Sequence, residues 1–335
     1  MLPKYLRCLS SIPRLSHVSL RASRGWLLVA LLLATAIWGW AFVGVDAAVA
    51  AYPVVGFLFL RFVIGGAALT VVARMRQRRP TTAPPGPSRR MVLALGALLT
   101  FGYVTQVYGL QLGVPPATAG VLAGLLVVLV PIGEWVAFRR APGASTWMAA
   151  ALVLAGTGLI AAPTPVPPGP HGALGLGLLL EVVGAAAFAL QIVLLGRVGQ
   201  TQDPVRLAAG QLRTVAVLLL PLLPLTGGLP LPDAHVWLEV VATGLLASAL
   251  AFGIQTAAQR RLDPSTVALV LGLEPAFALS FGIWLTGQRL TELELVGAAV
   301  LLAGVAAGAN VRPLDQLATL GVRWSDRILR PRHAG

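Results

Sequence analysis

The chain is 335 residues long, 57% hydrophobic and 11% charged, with a net charge of +13. Soluble domains carry about a quarter charged residues, so a globular protein wetted on all sides is excluded and a chain solvated by lipid is indicated. The single cysteine, Cys8, excludes a disulfide framework and a thiolate metal site.

In chain order, residues 1–25 form a basic tail, and ten apolar runs follow at roughly 26–45, 53–73, 91–112, 117–138, 146–162, 172–196, 204–225, 235–257, 265–286 and 292–310. Most approach the ~20 residues a helix needs to cross ~30 Å of hydrocarbon. Ala48-Val49-Ala50 after the first run resembles a signal-peptidase site. That run is longer than the 7–15 apolar residues of a signal sequence, however, so the first helix is expected to remain.

If every run crosses, 22 of the 25 basic residues fall on one side. They sit in the tails (residues 1–25 and 311–335), between runs two and three (Arg74–Arg90), and around the links after runs four, six and eight. The opposite links, Gly113–Pro116, Pro163–His171 and Thr226–Ala234, are short or proline-rich. An excess of Arg and Lys marks cytoplasmic loops. The basicity is therefore a topology signal, not a nucleic-acid footprint, and predicts a multi-pass inner-membrane protein with both termini cytoplasmic.

The proline-rich linker 163–171 also divides an internal repeat. VLVPIGEWVAF precedes AALVLAG (Ala150–Gly156) in the first half, and LGLEPAFALSF precedes AAVLLAG (Ala298–Gly304) in the second. Five spans per half is an odd number, so two copies (26–162 and 172–310) run in opposite directions across the membrane. The expected fold class is all-α integral membrane, with ten transmembrane helices built from two inverted five-helix repeats. Inverted repeats point to a transporter whose site lies near mid-membrane at the repeat interface.

WGWAFVG (Trp38–Gly44), LRF (Leu60–Phe62), AGVLAGLLVVLVP (Ala119–Pro131), LEP (Leu273–Pro275) and GQRLT (Gly287–Thr291) occur in that order. With these motifs the chain resembles the EamA-type permeases of the drug/metabolite transporter superfamily over about residues 26–310. The resemblance implies paired five-helix repeats that export or import small metabolites by alternating access; here export of a small organic metabolite or amphipathic compound is expected. Many members carry Lys at the position of Asp46 and Glu at that of Gln288, so the usual substrate chemistry is not carried over. The expected partners are a small-molecule substrate and the lipid bilayer; a homodimer is left open, and no cofactor, metal or nucleic acid is expected.

An ionisable group at mid-depth is costly and therefore a functional candidate, here a substrate-binding or proton-coupling site, with a structural hydrogen bond between helices as the alternative. Glu274 lies about 13.5 Å along its helix from Ser265, at 1.5 Å per residue. Pro275 beside it removes a donor and frees the carbonyl of Leu271, so Pro275 and its repeat counterpart Pro131 are expected kinks. Glu181 begins a stripe with Gly184, Phe188 and Gln191 that suits a pocket wall or tight packing. Trp38, Tyr103, Gln106 and the stripe Ser248–Phe252–Gln255 are further wall candidates. Arg61 is expected to lock to a carboxylate or carbonyl, with Asp46, Glu181 and Glu274 as partners. Arg213 is expected to snorkel, Glu134 to serve near the inner end of its span or reach water, and Glu239 and Glu294 to be solvated.

An intramembrane enzyme is the alternative from another class, but His17, His171, His235 and His333 all lie away from mid-membrane serines. A scaffold without transport activity would not need a mid-depth carboxylate beside a proline. The topology has a direct check in Cys8: a membrane-impermeant maleimide should label it in lysed cells and not in intact ones. Labelling of intact cells would reverse the orientation.

Overall fold

The computed structural model describes residues 24–77, 87–114, 116–139, 141–162, 171–286 and 291–308, and every regular element among them is helical. In lipid each backbone N–H and C=O must find its partner within its own segment, which the α-helix alone provides without a closed barrel. The helices are α1 (Arg24–Ala51), α2 (Val54–Gln77), α3 (Arg89–Gln111), α4 (Pro116–Ala123), α5 (Leu126–Phe138), α6 (Ala144–Ala161), α7 (His171–Val198), α8 (Pro204–Leu219), α9 (Ala234–Ala242), α10 (Ala251–Ala258), α11 (Pro264–Leu271) and α12 (Glu274–Thr286). A last helix, α13, covers residues 292–308.

Among the described residues nine segments are long and apolar enough to span a membrane. They correspond to the first nine runs, and α13 occupies the tenth. The chain is thus a multi-pass helical membrane protein. Helix α1 runs without a break through Ala48-Val49-Ala50. The expected tails, the tips of the loops after runs two and nine, and the linker's first eight residues lie outside the described residues.

Local chemistry sets the helix starts. Ser88, Asp203, Asp233 and Asp263 each accept a hydrogen bond from the backbone N–H three residues on, and proline follows two of them at the first helical position. Glu294 is not solvated as expected. It is 3% exposed, and its Oε2 accepts from the Thr291 N–H at 2.8 Å while the Thr291 hydroxyl receives the Glu294 N–H at 3.2 Å. This reciprocal box starts α13.

Two runs are broken, and not where the prolines alone would put it. Between α4 and α5 the ladder tightens to i→i−3 bonds, Leu125 to Leu122 and Val128 to Leu125; between α11 and α12 the same happens with Leu273 to Val270 and Ala276 to Leu273. Each break falls on a Gly-Leu pair, Gly124-Leu125 and Gly272-Leu273. Pro275 stands just after its break and enforces it by lacking an N–H. Pro131 lies inside α5 instead. The feature common to both halves is the Gly-Leu break, and the expected counterpart role of Pro131 is corrected to it.

The helices α6 and α13 meet through glycines. A Cβ on Gly156 would lie 2.6 Å from the Gly297 carbonyl oxygen, and one on Gly304 would lie 2.9 Å from the Val153 nitrogen and 3.1 Å from the Ala149 oxygen. The two contacts exchange under a shift of 148 positions: Gly156 with Gly304, Ala149 with Gly297. Small residues let transmembrane backbones approach this closely. Gly156→Val should therefore cost about 1–3 kcal/mol and lower the thermal midpoint of the detergent-solubilised protein. Gly158→Ala, at a glycine with open space around it, should leave that midpoint unchanged.

Candidate substrate cavity

A cavity of about 100 Å³ lies among α1, α2, α3, α7, α10 and the two broken runs. At ~10–15 Å³ per water by this measure, it holds several waters or one small solute. Aromatic rings build much of its wall. Trp38 meets Phe252 edge-on with centroids 5.3 Å apart, and Tyr103 meets Phe188 at 5.1 Å. Tyr103 and Phe252 join the two pairs at 6.2 Å.

Arg61 supplies the cation. It is 4% exposed, its Nε donates to the Ser248 hydroxyl at 2.9 Å, and its guanidinium lies 5.3 Å from the Tyr103 ring centre and 5.6 Å from that of Phe62. A buried guanidinium over ring faces gains cation–π attraction worth roughly 2 kcal/mol when desolvated. The Glu274 carboxylate also lines the cavity and attracts Arg61 electrostatically. The expected lock therefore has a different make-up: a hydroxyl and two rings hold Arg61, with Glu274 as the charged neighbour.

Ser248 lies in an unusual segment. Residues Thr243–Leu250, between α9 and α10, form a π-helix. Its wider turn frees the Ala247 carbonyl, which accepts the Trp38 indole N–H at 2.8 Å. π-Helical turns are rare and cluster at functional sites. Helix α2 can approach this turn because Gly65 and Gly244 sit at the contact: a Cβ on Gly65 would lie 2.9 Å from the Gly244 carbonyl oxygen.

The lining positions recur at a nearly constant interval. Trp38 and Phe188 are 150 positions apart, as are Ala41 and Gln191, and Phe42 and Ile192; Tyr103 and Phe252, and Gln106 and Gln255, are 149 apart; Ala123 and Leu271, and Leu126 and Glu274, are 148 apart. The two edge-on aromatic pairs exchange under the same shift. Arg61 maps to Gln211, which accepts a hydrogen bond from Gln191 at 2.8 Å. Shape is thus repeated and charge is not: Glu274 stands opposite Leu126, and Arg61 opposite an amide.

The repetition also fails at one end. Val45 and Leu110 line the cavity, whereas their equivalents Leu195 and Gln259 are buried at 0% and 1% exposure. Gln259 donates to the Ile192 carbonyl at 2.8 Å, and the Glu134 carboxylate accepts from the Ser265 N–H at 2.9 Å and from its hydroxyl. The cavity therefore extends toward the turns that follow α1 and α3 and is sealed toward the start of α11.

Of the residues singled out from sequence, Trp38, Arg61, Tyr103, Gln106, Phe188, Gln191, Gln255 and Glu274 all line this cavity. Glu181 does not. It is 2% exposed, packs against Gly109 of α3, and its Oε1 has no hydrogen-bond partner among the described residues. Its helical stripe follows α3, and only Phe188 and Gln191 reach the cavity. Glu134 latches the start of α11 instead of reaching for water. Glu239 packs against Gly44 with Oε2 buried and unpartnered among the described residues, against the expected solvation. The Asp46 side chain and Gln288 lie outside the described residues. No three His, Cys, Asp or Glu side chains gather among the described residues.

The sequence profile of the EamA-like transporter family matches residues 25–162 and 175–307. The chain belongs to that family. This EamA-like chain is 26% identical to the threonine/homoserine exporter RhtA of Escherichia coli K12 over 147 residues, 44% of the chain and 50% of the relative. It is 24% identical to an uncharacterized transporter of Archaeoglobus fulgidus over 211 residues, 63% of the chain and 66% of the relative. The matches span about half the length of the curated exporters. A solved structure at 20% identity superposes with a TM-score of 0.72, covering 85% of the chain and 98% of that structure, and shows a shared fold.

The position of Glu181 has a measurable consequence for this EamA-like protein. A buried polar atom left unpaired costs about 1–3 kcal/mol, and the residue 150 positions earlier is Leu31. Glu181→Leu should raise the thermal midpoint, whereas a clear drop would show that the carboxylate has a partner.

Proposed function

We propose that the chain is a ten-span secondary transporter of the inner membrane, with both termini cytoplasmic, built from two inverted five-helix repeats. It exports a small zwitterionic solute of the amino-acid class by alternating access. The observation that carries this reading is a cavity whose aromatic frame is repeated between the halves while its charges are not. Arg61 offers one cation and Glu274 one carboxylate, complementary to the carboxylate and ammonium of a zwitterion. Rings at Trp38, Tyr103, Phe188 and Phe252 suit an apolar side chain or the methylenes beside an ammonium. The Escherichia coli relative named as an exporter of threonine and homoserine agrees with that charge pattern.

In this reading the opening beside Val45 and Leu110 faces the cell exterior. The Gln259–Ile192 and Glu134–Ser265 contacts form the closed inner side. Exchanging the two halves' conformations would close the cavity over Val45 and Leu110 and open it beside their equivalents, which is how an inverted repeat produces alternating access.

Counterflow in proteoliposomes loaded with threonine, homoserine or another neutral amino acid tests this. The wild type should accumulate label. Glu274→Gln and Arg61→Gln should each reduce uptake about tenfold or more, since a lost contact to a charged group is worth roughly 1.5–3 kcal/mol, while Glu181→Gln should transport normally. If no solute moves under any gradient, the transport reading fails; if solute moves but Glu274→Gln and Arg61→Gln are unaffected, the site assignment fails.

A further inference from the structure

A second hollow, away from the cavity, has the make-up of a lipid site. It is a groove of about 590 Å³ among α2, α3 and α8, and its lining includes Arg74, Arg89, Arg206 and Arg213 and, among the described residues, no acidic side chain. Among the described residues none of the four guanidinium groups makes a hydrogen bond or ion pair. Arg74, Arg89 and Arg213 are exposed and Arg206 half-buried.

The groove is amphipathic along its length. Arg74 lies in the last turn of α2, Arg89 opens α3 and Arg206 lies in the first turn of α8. Further along α3 and α8 the lining becomes apolar and outward-facing: Leu93 is 47% exposed, Val217 67% and Leu218 39%. Arg213 stands between these zones. It is seven residues beyond Arg206, ~10 Å deeper at 1.5 Å per residue. Its stem packs on Gly66, where a Cβ would lie 3.2 Å from the Arg213 Cγ. Helical side chains lean toward the N-terminus of their helix, so the Arg213 head is directed back toward Arg206 and the mouth of the groove.

We propose that this groove binds an anionic phospholipid, with the phosphate held by the arginines at the mouth and an acyl chain along Leu93, Val217 and Leu218. An unpaired arginine below the headgroup level is costly, and a lipid phosphate drawn inward beside it relieves that cost in the surroundings the protein occupies. Exposed leucine and valine continuing from the basic mouth fit a diacyl chain and have no use for a free anion. Basic pockets between helices on the cytoplasmic side commonly take anionic headgroups.

Thermal unfolding of the purified full chain, in detergent micelles doped with phosphatidylglycerol, phosphatidylcholine or inorganic phosphate, tests the proposal. Phosphatidylglycerol should raise the midpoint, and the other two should not. In Arg206→Gln/Arg213→Gln its apparent affinity should fall about 30-fold, at roughly fivefold per arginine. Arg74→Gln/Arg89→Gln, at helix ends, serves if the first pair fails to fold, and Arg197→Gln, outside the groove, should bind as the wild type does. An equal shift with phosphatidylcholine, an equal shift with inorganic phosphate, or undiminished affinity in the double variants would each overturn it.

Discussion

The burial of the Arg61 guanidinium organises the centre of the molecule. A cation at this depth needs solvation from the protein itself, and several elements around it provide part of it. The Ser248 hydroxyl that reaches Nε stands in the stretch where the run containing α9 and α10 widens into a π-helix. The rings of Phe62 and Tyr103 turn their faces to the charge. The break at Gly272-Leu273 sets Glu274 in the first turn of α12, where a carboxylate is also favoured by the helix dipole. Two of these devices, the π-helix and the Gly272-Leu273 break, depart from regular helix, and all converge on the same hollow.

That convergence is laid over a symmetric frame. Edge-on aromatic pairs, glutamines, Gly-Leu breaks and the glycine contacts of α6 and α13 recur at intervals of 148–150 positions. A frame of matched halves permits two states of similar energy, because exchanging the roles of the halves preserves most packing. The unmatched residues are the charged and polar ones: Arg61 against Gln211, Glu274 against Leu126, Ser248 against Leu99. Under the transporter reading, the matched frame lets the halves exchange roles, and the unmatched charges recognise the charged ends of the solute.

Much of this was legible in the sequence because burial in lipid makes polar residues conspicuous. Arg61, Glu274 and the glutamines stood out from apolar runs for the same reason that they line the cavity. Glu181 stood out equally, yet faces Gly109, since a helical stripe gives direction about the axis and not which neighbour covers each level. Pro131 and Pro275 are the conspicuous residues and mark expected kinks, but the breaks of both halves fall elsewhere. The actual signal was a Gly-Leu pair, which a Leu- and Gly-rich chain repeats too often to reveal. The π-helical turn at Thr243–Leu250, which meets Trp38 and Arg61 of other helices, has no marker in its own residues.

The central claim, that solute occupies the hollow between Arg61 and Glu274, is tested most directly by alkylation of a single cysteine at Gln106 in a Cys8→Ser background. In intact cells an impermeant maleimide should react there, and a saturating concentration of the transported amino acid should slow that reaction severalfold, while leaving a cysteine at Gly158 unaffected. Alkylation of Gln106→Cys at the same rate with and without solute would contradict the account.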